Sequence, residues 1–180
     1  MVVYLKTRKQ LRLSWFDYSE PRAYFFTICT FSNQLIFRDT EIADIVKKCW
    51  HKISLSYPLV KLDEFVIMPN HVHGILWIKE SATQNKIRPK LGTILGSFKS
   101  AVSKILHAES LVGGKIWQRN YFERIIRNEE ELNSIRKYII ENPIKWDLDR
   151  ENPKHEFRRG QACLTPTSPI RLLFEPEDIK

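Results

Sequence analysis

The segment from Leu62 to Ile78 constrains the fold of this chain more than any other. It holds two apolar runs, one ending at Met68 and one starting at His71, parted by the breaker Met68-Pro69-Asn70. This is the pattern of two antiparallel strands joined by a short turn. Side chains alternate along a strand, so Val72, Leu76 and Ile78 point to one face while His71, His73, Ile75 and Trp77 point to the other. A strand that is apolar on both faces is a central one. Two imidazoles on one face of it, beside a turn, are placed to share a ligand. The plainer alternative is a pair of hydrogen-bonded strand-end histidines. Two imidazoles are also too few for a divalent ion, so a third group has to come from elsewhere.

The flanking chain supplies partners for that pair. Ala23 to Phe31 is β-branched and aromatic and reads as another buried strand, ended by Ser32-Asn33. From Asp39 to about Ser54, Ile42, Ile45, Val46, Cys49 and Ile53 recur at helical spacing. Glu80 to Lys90 lacks periodicity and reads as a surface loop. Leu91, Ile94, Leu95, Phe98, Val102, Ile105 and Leu106 mark a second helix. After Gly113-Gly114, Lys115 to Ile126 reads as an extended fourth strand. Strand, helix, strand, strand, helix, strand is the order of a ferredoxin-like α+β fold, with the helices expected on one face of the sheet.

A last helix is well specified. Asn128 is an N-cap candidate, Glu129, Glu130 and Glu131 favour the positive end of the helix dipole, and Pro143 stops the helix after Asn142. Leu132, Ile135 and Ile139 form its buried stripe. Tyr138 and Asn142, four residues apart, lie on neighbouring turns. A tyrosine hydroxyl opposite strand histidines is able to attack a phosphodiester. The ordinary roles are a rim tyrosine and a helix-capping asparagine, and spacing alone leaves both open.

Charge and composition set the partners. The 180 residues carry a net charge of +8, and 43% are hydrophobic, with ten Phe, six Tyr and five Trp. That is enough for one domain with a sizeable core. Polyanions are attracted to such a chain, nucleic acid first. Lys6, Arg8, Lys9 and Arg12 stand in an N-terminal arm with Trp15, Phe16 and Tyr18, and Arg119, Arg124 and Arg127 stand beside Trp117, Tyr121 and Phe122. Cations interleaved with aromatics suit a single-stranded nucleic acid. No apolar run approaches the length of about 20 residues needed for a membrane span, and Met1 to Leu5 is too short for a signal-peptide core. The expected location is the cytoplasm, on the nucleoid when DNA is bound. Cys29, Cys49 and Cys163 form no C-x-x-C pair and read as incidental thiols.

The chain resembles the HUH single-tyrosine transposases, the Y1 group of IS200/IS605 type, and in particular the REP-associated tyrosine transposases. The resemblance runs from about Arg12 to Trp146 and rests on YSEPRAYFFTICT, MPNHVHGILW, GTILGSFKSAVSKI, WQRNYFERIIRNEEEL and IRKYIIENPIKW. It implies a divalent cation, Mg2+ or Mn2+, on His71 and His73, with Asn142 as the polar third ligand and Tyr138 as the nucleophile. Family members often carry glutamine at the position of Asn142, which leaves Glu141 and Gln118 as alternatives. The implied reaction is attack of Tyr138 on single-stranded DNA beside a hairpin, giving a 5′-phosphotyrosine and a free 3′-hydroxyl. The family includes dimers and single-chain enzymes, so monomer and homodimer are both open.

Residues 1–150 are expected to form the nuclease domain with its basic arm, and residues 151–180 an extended tail. From about Asp147 onward no motif is matched. Two rivals stand beside the transposase reading. One is a non-catalytic ferredoxin-like module that holds RNA or DNA, and the other is a metal-dependent phosphoesterase using activated water.

Overall fold

The computed structural model describes residues 16–81, 87–149 and 152. Its centre is a four-stranded antiparallel sheet built from β1 (Ala23–Cys29), β2 (Val60–Met68), β3 (His71–Ile78) and β4 (Phe122–Ile126), in the order β2-β3-β1-β4. This is the ferredoxin-like order, and β3 is an inner strand as its two apolar faces require. Gly74 of β3 sits where two rings converge. A Cβ there would lie 2.7 Å from Phe26 Cζ and 2.9 Å from Phe65 Cδ2, so the close packing of the inner strands depends on glycine.

Helices α1 (Thr40–Ser56) and α2 (Leu91–Ala108) cover one face. Asp39 caps α1 by accepting from the backbone N–H groups of Glu41 and Ile42, which satisfies two donors the first turn leaves open. The stripe from Ile42 to Ile53 then packs with Leu91, Ile94, Leu95 and Phe98 of α2 on Tyr24, Phe26, Ile28, Val72 and Leu76 of the sheet. Phe16 and Tyr18, at the described end of the N-terminal arm, pack against this same core. The four arm cations Lys6, Arg8, Lys9 and Arg12 lie outside the described residues.

The third helix, α3 (Glu129–Glu141), lies on the opposite face, the one that carries the histidines, so helices cover both faces rather than the single face expected. Leu132, Ile135 and Ile139 bury against Ala23, Phe25, Ile75, Phe122 and Ile126. The correction has a simple cause: an inner strand apolar on both sides needs cover on both, and each of these three side chains contributes about 1.5–3 kcal/mol by leaving water. Asn128 caps α3 by accepting from Glu131 N–H at 2.8 Å. The Glu131 carboxylate reaches back one residue beyond the cap, to Arg127 N–H at 2.8 Å, and takes Arg124 Nε at 2.5 Å.

The fourth strand is shorter than Lys115 to Ile126. Trp117 makes only an isolated bridge to Thr30 and turns inward. Its ring packs at a tilt against Phe37 and Phe98, and its indole N–H donates to the Lys99 carbonyl at 3.2 Å. Trp117 and Phe122 are buried core residues, so neither is presented for base stacking. Cys49 is a buried free thiol and Cys29 is buried in β1, while Cys163 lies outside the described residues.

Candidate active site

The site forms where α3 crosses the histidine face of β3. The β1–β3 register sets Thr27 opposite His73 and Cys29 opposite His71, while Met68 of β2 pairs with His71 across the Pro69-Asn70 turn. Both imidazoles are buried, and their Nε2 atoms face each other at 3.0 Å. Burial pushes the His71 imidazole down to about 3, and it holds His73 well below the ordinary value, with the neighbouring His71 adding to the effect. Both rings are therefore neutral at physiological pH, the form that binds metals.

Each ring is held from behind. Asn70, fully buried, offers its side-chain oxygen to His71 Nδ1 at 2.8 Å, and the Thr27 hydroxyl meets His73 Nδ1 at 2.8 Å. Phe25 stacks on the His73 ring at 5.6 Å. These contacts leave the two Nε2 atoms as the groups aimed at the site, because a hydrogen-bond partner on Nδ1 fixes how an imidazole presents its other nitrogen.

Tyr138 reaches this pair from α3. Its ring packs edge-on against His73 and Phe25, and its hydroxyl stands 3.3 Å from His73 Nε2 in the same chain. The placement of α3 is set by a clamp two residues earlier: Arg136 donates from Nε to Asp63 Oδ1 at 2.9 Å and from Nη2 to Asp63 Oδ2 at 2.6 Å. Trp77 Nε1 donates to the same carboxylate at 2.9 Å. Hydrogen bonds from Arg136, with support from Trp77, bring the Asp63 carboxyl down to about 2. Arg136 is thus committed to holding the helix.

Asp149 was not expected here. A short 3-10 turn at Trp146–Leu148 follows α3, and it returns the chain so that Asp149 Oδ2 lies 3.8 Å from His71 Nε2. With His71 neutral, this contact joins an uncharged imidazole and a carboxylate rather than an ion pair. His71, His73 and Asp149 are all buried and each offers one ligand atom, all within 4.8 Å of one another. Asn152 holds the turn in place, with Nδ2 donating to the Trp146 carbonyl at 3.1 Å and its backbone N–H to the Asp149 carbonyl. The signal in the sequence was faint: an aspartate shortly after a proline-stopped helix, in a stretch that matched no motif.

Asn142 is the C-cap of α3 and is buried. Its Nδ2 has no hydrogen-bond partner among the described residues, which leaves a buried donor for an accepting group; a cation would need the side-chain oxygen instead. Glu141, one alternative to it, pairs with Lys137 and Lys145. Gln118, the other, donates to the Asn33 side chain at 2.9 Å. Of the candidate phosphate contacts, Arg119 and Arg127 are exposed, and Arg124 is held by Glu131.

The family described as Transposase IS200 like matches residues 22–142. The chain belongs to the IS200-like transposases. A Haemophilus influenzae protein with the name Uncharacterized protein is 34% identical over 166 residues, covering 79% of this chain and 92% of that one. A second protein of the same organism, whose name reads "Putative REP-associated tyrosine transposase", is 24% identical over 155 residues, covering 79% of this chain and 84% of its own length. Among solved structures, a REP-associated tyrosine transposase bound to a REP hairpin superposes with a TM-score of 0.59 at 20% identity, covering 77% of this chain and 74% of the other. That likeness extends the family membership to the fold. Among the described residues no helix is long and apolar enough to cross a membrane.

Proposed function

We propose that this IS200-like transposase is a divalent-cation-dependent strand transferase acting on single-stranded DNA beside hairpins, with Tyr138 as its nucleophile. The observation that carries the reading is the hydroxyl of Tyr138 at 3.3 Å from His73 Nε2, beside a neutral imidazole pair and a buried carboxylate. Hairpin DNA as the substrate is taken from the relative that was solved with one bound.

The donor set fits Mg2+ or Mn2+. An octahedral ion with bonds of about 2.1 Å needs adjacent ligand atoms about 3.0 Å apart, and the Nε2 atoms stand at 3.0 Å. His71 and His73 would hold the cation, with the Asp149 carboxylate and the Asn142 amide as further candidate ligands. When bound, the cation supplies positive charge for the phosphate oxygens and the departing 3′-oxygen.

The chain's own groups do the rest. The Tyr138 oxygen attacks phosphorus and forms the new P–O bond. The bond to the 3′-oxygen breaks, and the strand leaves as a 3′-hydroxyl after gaining a proton. A tyrosine hydroxyl is ordinarily protonated at neutral pH, so it has to give up its proton during attack. That proton would pass to the departing 3′-oxygen or to solvent, since the His73 Nε2 lone pair that faces the hydroxyl would be committed to the cation. Reversal by a 3′-hydroxyl rejoins DNA without an external energy source, because the phosphotyrosine conserves the bond. Arg119 and Arg127 contribute exposed phosphate contacts, and the Lys6, Arg8, Lys9 and Arg12 arm adds more. Residues 1–150 act as the nuclease domain, residues 151–180 as a tail, and the protein works in the cytoplasm on nucleoid DNA.

The test is incubation with end-labelled hairpin oligonucleotides and Mn2+, read on a denaturing gel. A protein–DNA species is expected from the parent and none from Tyr138→Phe. Cleavage without that species would establish water as the nucleophile, and binding with neither would reduce the protein to a nucleic-acid-binding module.

A further inference from the structure

We propose that Thr27 is a positioning residue whose hydroxyl lets His73 carry its ring proton on either nitrogen, so that the histidine pair exists in a closed, self-bonded form and an open, cation-receiving form. The inference rests on the reading of His71 and His73 as cation ligands and adds to it an asymmetry between the two.

The asymmetry follows from what backs each ring. Asn70 Nδ2 faces the Asn33 carbonyl at 3.4 Å, which orients the amide so that its oxygen faces His71 Nδ1 at 2.8 Å. An amide oxygen only accepts, so His71 keeps its proton on Nδ1 and presents a bare Nε2 lone pair. The 3.0 Å approach of His73 Nε2 to that lone pair is a hydrogen bond only when His73 carries its proton on Nε2. Then His73 Nδ1 is bare, and the Thr27 hydroxyl donates to it across 2.8 Å. Three hydrogen bonds run in one direction from Thr27 through His73 and His71 to Asn70.

A cation shared by the two rings needs lone pairs on both Nε2 atoms. His73 must then hold its proton on Nδ1, where the Thr27 oxygen lies. A hydroxyl both donates and accepts, so Thr27 satisfies His73 in either form without moving. Asn70 offers His71 no such choice. Thr27 is buried directly across the β1–β3 ladder from His73, so no other side chain in that register can take over.

Two measurements on the full chain test this. Long-range proton–nitrogen NMR of the imidazoles should find His73 protonated on Nε2 without cation and on Nδ1 with saturating Mg2+, while His71 is protonated on Nδ1 in both. Calorimetric titration with Mn2+ should show Thr27→Val weakened about 10- to 100-fold, the usual effect of losing a partner behind a ligating histidine, with Thr27→Ser restoring affinity. Finding His73 protonated on Nδ1 before cation is added, or Thr27→Val binding Mn2+ like the parent, would overturn the inference and leave the cation site standing. A parent chain that binds neither ion would remove the site itself. Should Thr27→Val fail to fold, the parent spectra decide the matter alone.

Discussion

Replacing Asp63 with asparagine tests whether the helix that carries Tyr138 is fixed electrostatically. Asp63 accepts two hydrogen bonds from Arg136 and one from Trp77, and its side chain is only 8% exposed. The fall of its carboxyl from 3.8 to about 2 measures how much better the fold holds the charged form than the neutral one. At about 1.4 kcal/mol per tenfold, this is about 2 kcal/mol. For a chain of 180 residues, each kcal/mol moves the melting temperature by about 2–4 °C, so Asp63→Asn should melt about 4–8 °C below the parent at pH 7. The sign with pH is fixed. A depressed folded-state value contributes stability that is complete above the unfolded value and disappears as pH falls toward about 2. The gap between parent and variant, followed by circular dichroism in urea, should therefore narrow below pH 4. Equal stability at pH 7, or a gap of constant size down to pH 2, would refute the clamp.

Other perturbations probe separate parts of the fold. Gly74→Ala forces a methyl group against Phe26 and Phe65, the second of which is itself stacked on Trp50 at 4.4 Å, and should cost about 1–3 kcal/mol by urea titration. An unchanged midpoint would show that the rings yield. Asp149→Asn should weaken Mn2+ binding at least about tenfold, measured by calorimetry, and parent-like affinity would remove Asp149 from the ligand set. Mixing Tyr138→Phe with His73→Ala chains should restore no DNA adduct, since hydroxyl and imidazole belong to one chain; recovery would place them in different chains of an oligomer.

Much of the architecture was legible because it is written in alternation and periodicity. His71, His73, Ile75 and Trp77 fall on one face of β3 as a strand demands, and Asn128 caps α3 as its sequence announces. What failed is long-range. The same alternation in β1 points Ala23 and Phe25 to the histidine side, yet placing α3 there required seeing that this side also needed cover. Register cannot be read from composition, so Thr27 stayed unnoticed although it faces His73. Trp117 and Phe122 have the composition of a stacking platform, but burial of their area prevailed over display. Asp149 depends on a three-residue turn with no periodic pattern of its own.

The path of the chain has one more consequence. Tyr138 lies 65 residues beyond His73, and α3 follows every strand of the sheet it rests on. During synthesis the sheet emerges first, and the Tyr138 hydroxyl arrives only afterward. On the proposed function, a ribosome-bound or half-assembled molecule has the imidazoles without the Tyr138 hydroxyl and should form no DNA adduct until the last helix docks.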